Sequence, residues 1–265
     1  MIPALVLVMV VAALGVFKAL QNSAFRSIQL AATLDAVAQR GRQVVDGVYP
    51  DDTHELPAAA NGRHVVVGEI LWRRPAATLQ AVDVPALVRC AERMDVVIEL
   101  CVRPGEVIPE RGRVAIVHGA GEVAADELLP ALRTGIERTF DQDPAMALRV
   151  LADIALKALS PAVNDPTTAV QALDEIDQLL RVLVGRDLAV ETVKGSDGET
   201  RVLLPLPSWE DYVGVALDEI IALDRASPLV GGRVDRLLTE LVAIAPAGRE
   251  EALQARLERA GGARA

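Results

Sequence analysis

The residues best suited to chemistry in this chain of 265 are oxygen donors crowded between positions 138 and 168. Asp141, Asp143, Asn164 and Asp165 carry the hard ligands that Ca²⁺ or Mg²⁺ prefers. No histidine lies between 119 and 265, so a zinc or iron centre is disfavoured there. The same residues have a simpler use. Asp143-Pro144 and Asp165-Pro166 stand 22 positions apart, and each pair reads as a helix start. An Asp at the N-cap accepts a backbone N–H, and a Pro just inside forfeits a donor that would be unpaired anyway. Ser160, Asn164, Asp165, Pro166, Thr167 and Thr168 then form a rigid, double-capped corner, since every residue type there suits a cap or a turn. An anion at the second helix start would meet the Asp165 carboxylate, which repels it.

A second polar group lies between these starts. Arg149, Asp153 and Lys157 recur every four residues in a run that is otherwise apolar. On a helix they form one stripe. As a solvated edge it would contribute about 0.3–0.5 kcal/mol per pair. As a buried network it would cost about 3–5 kcal/mol to break.

Other catalytic signatures are missing. The chain has no GxSxG, P-loop, HExxH or metal-spaced Cys/His cluster. His54, His64 and His118 fall at strand ends and linkers and read as surface residues. Cys90 and Cys101 make no CxxC, and Cys101 sits in the apolar run 96–102, so both read as buried thiols. Gly119-Ala120-Gly121-Glu122-Val123-Ala124 imitates a dinucleotide fingerprint, but helix is expected to follow from 123 to 140 with no second parallel strand. No catalytic residue and no cofactor is expected.

The elements that position these residues follow from pattern. Helices are expected at 84–93, 144–159, 166–184, 209–224 (capped by Ser208), 228–244 and 249–259. Strands are expected at 64–69, 77–83, 95–102 and 113–118, with a hairpin near 187–204 around Gly195-Ser196-Asp197-Gly198. The fold class is therefore α+β, predominantly helical with a small mixed or barrel-like sheet region. The expected divisions are 1–50, 51–122 (β-containing, entered through the linker 51–62) and 123–265, an α-rich part with a central helical hairpin at 144–184.

One transmembrane or amphipathic helix is expected to precede all this. Residues 1–17 carry no charge, and with Ala19 and Leu20 they reach the ~20 residues a bilayer needs. Residues 23–48 place Ile28, Leu30, Leu34, Val37, Val44, Val45 and Val48 at helical spacing. That stalk must bury its apolar face against the body or a second copy. Residues 1–50 hold Lys18, Arg26, Arg40 and Arg42 against Asp35 and Asp46. By the positive-inside rule the body is cytoplasmic. The net charge is −10, leaving −12 outside this segment, which excludes a nucleic-acid footprint.

The run DIALKALSPAVNDPTTAVQALD, with ERTFDQDPAMALRVLA before it, resembles a large bacterial family of predicted membrane proteins, the domain-of-unknown-function family numbered 2254. The resemblance extends through TLQAVD and RPGEVIPERG upstream and past LPSWEDY downstream. It implies a bacterial plasma-membrane protein and supplies no reaction. Family members usually carry several spans before this region, whereas this chain offers at most one, as in a shortened member or one with a misplaced start.

The expected function is non-enzymatic: a membrane-anchored, self-associating cytoplasmic module that supports or gates a membrane assembly. The alternatives are a cation-dependent enzyme or sensor using Asp141, Asp143, Asn164 and Asp165, and a periplasmic body behind an uncleaved signal. Expected partners are the membrane and a second copy of the chain.

Overall fold

A computed structural model describes residues 2–49, 65–188, 192–223 and 227–262, with side chains described except at 2–8 and 19–29. The linker 51–62, His54, His64 and the side chain of Ile28 lie outside the described residues.

Helix α1, Ile2–Val48, is one unbroken rod. The apolar segment and the amphipathic stalk expected within 1–50 both lie on this one rod. Among the described residues no helix is long and apolar enough to cross a membrane. Of the apolar stretch only residues 9–18 have described side chains, and ten residues at ~1.5 Å span about half of a ~30 Å hydrocarbon core. The two ends of α1 differ. Met9, Val10, Val11, Leu14, Val16 and Phe17 are each at least half exposed, whereas Leu34, Ala38, Val44 and Val45 are buried. The apolar face of the stalk meets the body.

That body has two cores. The helical core is built from the carboxyl part of α1 with α4 (Ala145–Leu159) and α5 (Pro166–Val184). Around them pack α6 (Trp209–Val213), α7 (Glu219–Leu223), α8 (Pro228–Ile244) and α9 (Glu250–Gly262). Alanine makes the close crossings possible. Ala147, Ala152, Ala155 and Ala158 line α4, and a Cβ added at Gly41 of α1 would fall 2.4 Å from that of Ala147. The expected helix 209–224 runs from α6 to α7 through one π turn, Gly214–Asp218. Its start is the expected cap: Asp211 N–H donates to Ser208 Oγ, and Ser208 N–H donates to Asp211 Oδ2.

The second core joins two sheets to α2 (Val84–Met94) and α3 (Ala125–Leu128). Strands β1 (Val66–Leu71), β5 (Arg113–Gly119), β3 (Val96–Leu100), β8 (Thr200–Leu203) and β7 (Thr192–Lys194) lie side by side in that order. All neighbours are antiparallel except β3 and β8. The other sheet is β4 (Val107–Ile108), β2 (Ala77–Val82) and β6 (Leu132–Gly135), antiparallel throughout.

Three expectations are corrected here. Segment 123–140 is not a helix: α3 gives way to a 3-10 turn at Leu129–Ala131 and then to β6. Pro130 interrupts the α pattern, and pairing with β2 supplies hydrogen bonds that a helix would otherwise satisfy. The hairpin β7–β8 does not stand apart in the α-rich part. It extends the larger sheet through Ile98 and Val202, so the boundary at 122/123 does not separate sheet from helix. Cys101 is exposed rather than buried, lying just past the end of β3, while Cys90 is buried in α2.

Candidate functional site

Both Asp-Pro pairs stand at helix starts, with Asp165 as the cap of α5, whereas at α4 Pro144 takes the cap position and Asp143 precedes it. At α5, Asp165 Oδ1 accepts from the Thr168 N–H and Oδ2 from the Thr168 hydroxyl, at 3.1 and 2.6 Å. The hydroxyl bond is the main reason that the Asp165 carboxyl sits below its ordinary pKa. The corner before it is closed by its own chain. Ser160 Oγ donates to Lys157 O, the Asn164 N–H to Ser160 O, and the Asp165 N–H to Ala158 O. Asn164 takes a left-handed φ of 47°, which asparagine tolerates better than most residues. Pro166 is the first helical residue, and Thr167 is exposed beside it.

At α4, Asp143 accepts from the Ala145 N–H at 3.1 Å and is almost fully buried. Arg138 reaches it with Nε and Nη2, at 2.9 and 2.6 Å. Burial pushes the Asp143 carboxyl up, and Arg138 opposes that without cancelling it. Asp141 faces solvent instead, paired with Arg133 and, at 3.7 Å, with Arg40.

The four expected cation ligands therefore fall at opposite ends of α4. Fifteen residues at ~1.5 Å put ~22 Å between the Asp141/Asp143 pair and the Asn164/Asp165 pair, so they do not share one ion. Among the described residues no group of three or more His, Cys, Asp or Glu side chains is placed to hold a metal. The stripe is the solvated edge: Arg149 pairs with Asp153 at 2.6 Å and with Glu219 of α7, and Asp153 and Lys157 are exposed.

The glycines after β5 have a packing role. A Cβ on Gly121 would lie 2.0 Å from the Met94 carbonyl oxygen, and Gly119 has a φ of 132°. The strand that comes next, β6, joins the other sheet in antiparallel fashion, so no dinucleotide unit forms. His118 Nε2 lies 2.7 Å from Glu99 Oε2 across β5 and β3.

What the sequence pattern missed is the seam between the two cores. Arg103 pairs with Glu106 at 2.8 Å and with Asp211 of α6 at 3.2 Å. The backbone N–H of Ser208, which donates to Asp211 Oδ2, is the leading cause that holds the Asp211 carboxyl below its ordinary range. Gly105, at φ 91°, presses against Asp143. Beside this seam is a cavity of about 570 Å³ whose rim includes Arg40, Asp141 and Gln142. A partial signal existed in the turn residues of RPGEVIPERG, but its partners lie far away in the chain.

The family model for a predicted membrane protein, DUF2254, matches residues 1–240. Uncharacterized proteins Rv1290c of Mycobacterium tuberculosis and Mb1321c of Mycobacterium bovis are each 31% identical over 212 residues, 77% of this chain and 41% of each relative. The chain thus spans about two fifths of the length of the curated relatives it matches. No solved structure matches it. On the near-complete family match and these relatives, the chain belongs to the predicted membrane protein family DUF2254.

Proposed function

We propose that this chain is a non-enzymatic module attached to the bacterial plasma membrane by the amino end of α1, with its body on the cytoplasmic side. We propose further that copies associate to support or gate a membrane assembly. The observation that carries this reading is the contrast along α1. Its carboxyl part is buried in the body, and its described apolar positions from Met9 to Phe17 are exposed. Contiguous apolar exposure of that kind marks a surface that meets lipid or another chain. Lys18, Arg40 and Arg42, all carboxyl-terminal to the apolar stretch, favour the cytoplasmic side for the body. The predicted-membrane-protein description of the family agrees with attachment.

Native mass measurement of the detergent-solubilised chain tests association. A defined oligomer supports the reading, and a monomer at all concentrations contradicts it. A reporter fused at the carboxyl end tests the side of the membrane.

A further inference from the structure

The cavity at the seam is walled by Val44 and Val48 of α1, by Leu100 and Val102, and by Val193 and Leu204. Its volume of about 570 Å³ falls in the ~300–1,000 Å³ range of small-molecule sites. The polar side chains of the lining are Arg40, Gln43, Asp141 and Gln142, and they are neighbours: Arg40 Nη1 donates to Gln43 Oε1 at 3.2 Å and pairs with Asp141. Gln142 is already committed: its Oε1 accepts from the Val82 N–H at 2.8 Å and its Nε2 donates to Val82 O at 3.1 Å. Asp141 is shared between the guanidiniums of Arg40 and Arg133. Those three side chains carry one positive charge in excess, in a chain whose net charge is −10. Arg40 is half exposed and holds Asp141 only loosely, at 3.7 Å. It also lines a shallow groove with Ala32, Ala36, Val37 and Phe140, which runs along α1 from Arg40 toward its apolar end.

From this placement we infer that the cavity is a binding site for a single-chain anionic amphiphile of the long-chain carboxylate class. The aliphatic chain lies on the valine and leucine walls, and the carboxylate pairs with Arg40 at the rim. Charge complementarity selects the head: a second carboxylate at Arg40 balances the excess that Asp141 leaves. Apolar walls select the chain, since a polar ligand would find no free donors or acceptors on Val44, Val48, Leu100, Val102, Val193 and Leu204. Such binding is independent of self-association and of which side of the membrane the body occupies.

Photolabelling of the full, detergent-solubilised chain with a diazirine-bearing palmitate, mapped by peptide mass spectrometry, tests it. Label is expected in peptides covering 82–102 and 193–206. It should be competed by dodecanoate and not by dodecyl maltoside, which has the same chain length and a neutral head. Arg40→Gln should lower that label about tenfold. Leu204→Trp, which fills the cavity from a half-buried position, should remove it while the melting curve shows a folded chain. Label confined to residues 9–17 would overturn the proposal. So would equal competition by the two dodecyl compounds together with an Arg40→Gln chain labelled as well as the parent.

Discussion

The phenolic oxygens of Tyr49 and Tyr212 lie 2.8 Å apart, in a buried contact between the residue that follows the long amino-terminal rod and helix α6. The rings meet edge to face with centroids 6.4 Å apart. Arg186 fastens the same point, donating to the Tyr49 carbonyl at 2.9 Å and pairing with Asp46. Burial raises the pKa of both phenols, so each stays a neutral hydroxyl through the physiological range. This joint fixes how α1 leaves the body, and hence where its exposed apolar end points.

Tyr49→Phe or Tyr212→Phe leaves the other hydroxyl buried without its partner. Each single change is expected to destabilise the chain by about 1–3 kcal/mol. The double Phe variant removes both polar groups, so its loss should be smaller than the sum of the singles. Urea unfolding across the four-member cycle measures this, and strict additivity would contradict a direct bond.

Gly105 is a point where only glycine fits. Its φ is 91°, and an added Cβ would stand 2.1 Å from Asp143 Oδ2. Asp143 has nowhere to retreat, since Arg138 and the Ala145 amide hold it. Gly105→Ala should therefore cost about 1–3 kcal/mol for the backbone alone, before the clash is added. A melting temperature equal to the parent would contradict the contact.

Two carboxylates should bend stability against pH in opposite senses. The folded-state pKa of Asp165 is depressed. Its contribution is therefore complete above the unfolded value of ~3.9 and is lost as pH falls through the lower folded value. The folded-state pKa of Asp143 is raised. Protonation there favours the folded chain, and that benefit fades as pH rises from ~3.9 through the higher folded value. Asp165→Asn should remove part of the acid loss below about pH 4, and Asp143→Asn should flatten the curve just above it. Urea midpoints taken at steps between about pH 3 and 6 would show both.

Charge position, not charge count, decides what an ion pair contributes. Asp153 is exposed beside Arg149, so Asp153→Ala should cost only about 0.3–0.5 kcal/mol. Asp177 is buried between Arg181 at 2.8 Å and Arg233 at 2.7 Å. Asp177→Ala removes the carboxylate they share and leaves Arg181 with Glu240 alone and Arg233 with Asp174 alone, so it should cost more than Asp153→Ala, about 1–3 kcal/mol. Similar losses for the two variants would place the Arg149 stripe in a network rather than on an edge.

Local signals were legible where the residue's job is local. The Asp165 cap, the stop at Ser160, the Ser208 box and the strands β2, β3 and β5 all arise from nearest neighbours in the chain. Strand β6 was not legible because LRTG becomes a strand only by pairing with β2, fifty residues away. The parallel pairing of Ile98 with Val202 joins segments a hundred residues apart, and no local pattern encodes that register. The cavity was hidden for the same reason. Its lining comes from α1, both sheets and the segment before α4, and each contributes only one or a few ordinary side chains.

Contact between lipid and the amino end of α1 is the central claim, and vesicle flotation tests it directly. The full chain, mixed with liposomes of bacterial lipid composition, should rise with the vesicles on a density gradient. A Val11→Lys/Leu14→Lys variant, altered at two exposed positions that do not touch the body, should stay at the bottom while keeping the parent's melting curve. A parent chain that remains at the bottom, or a variant that floats as well as the parent, would contradict the account.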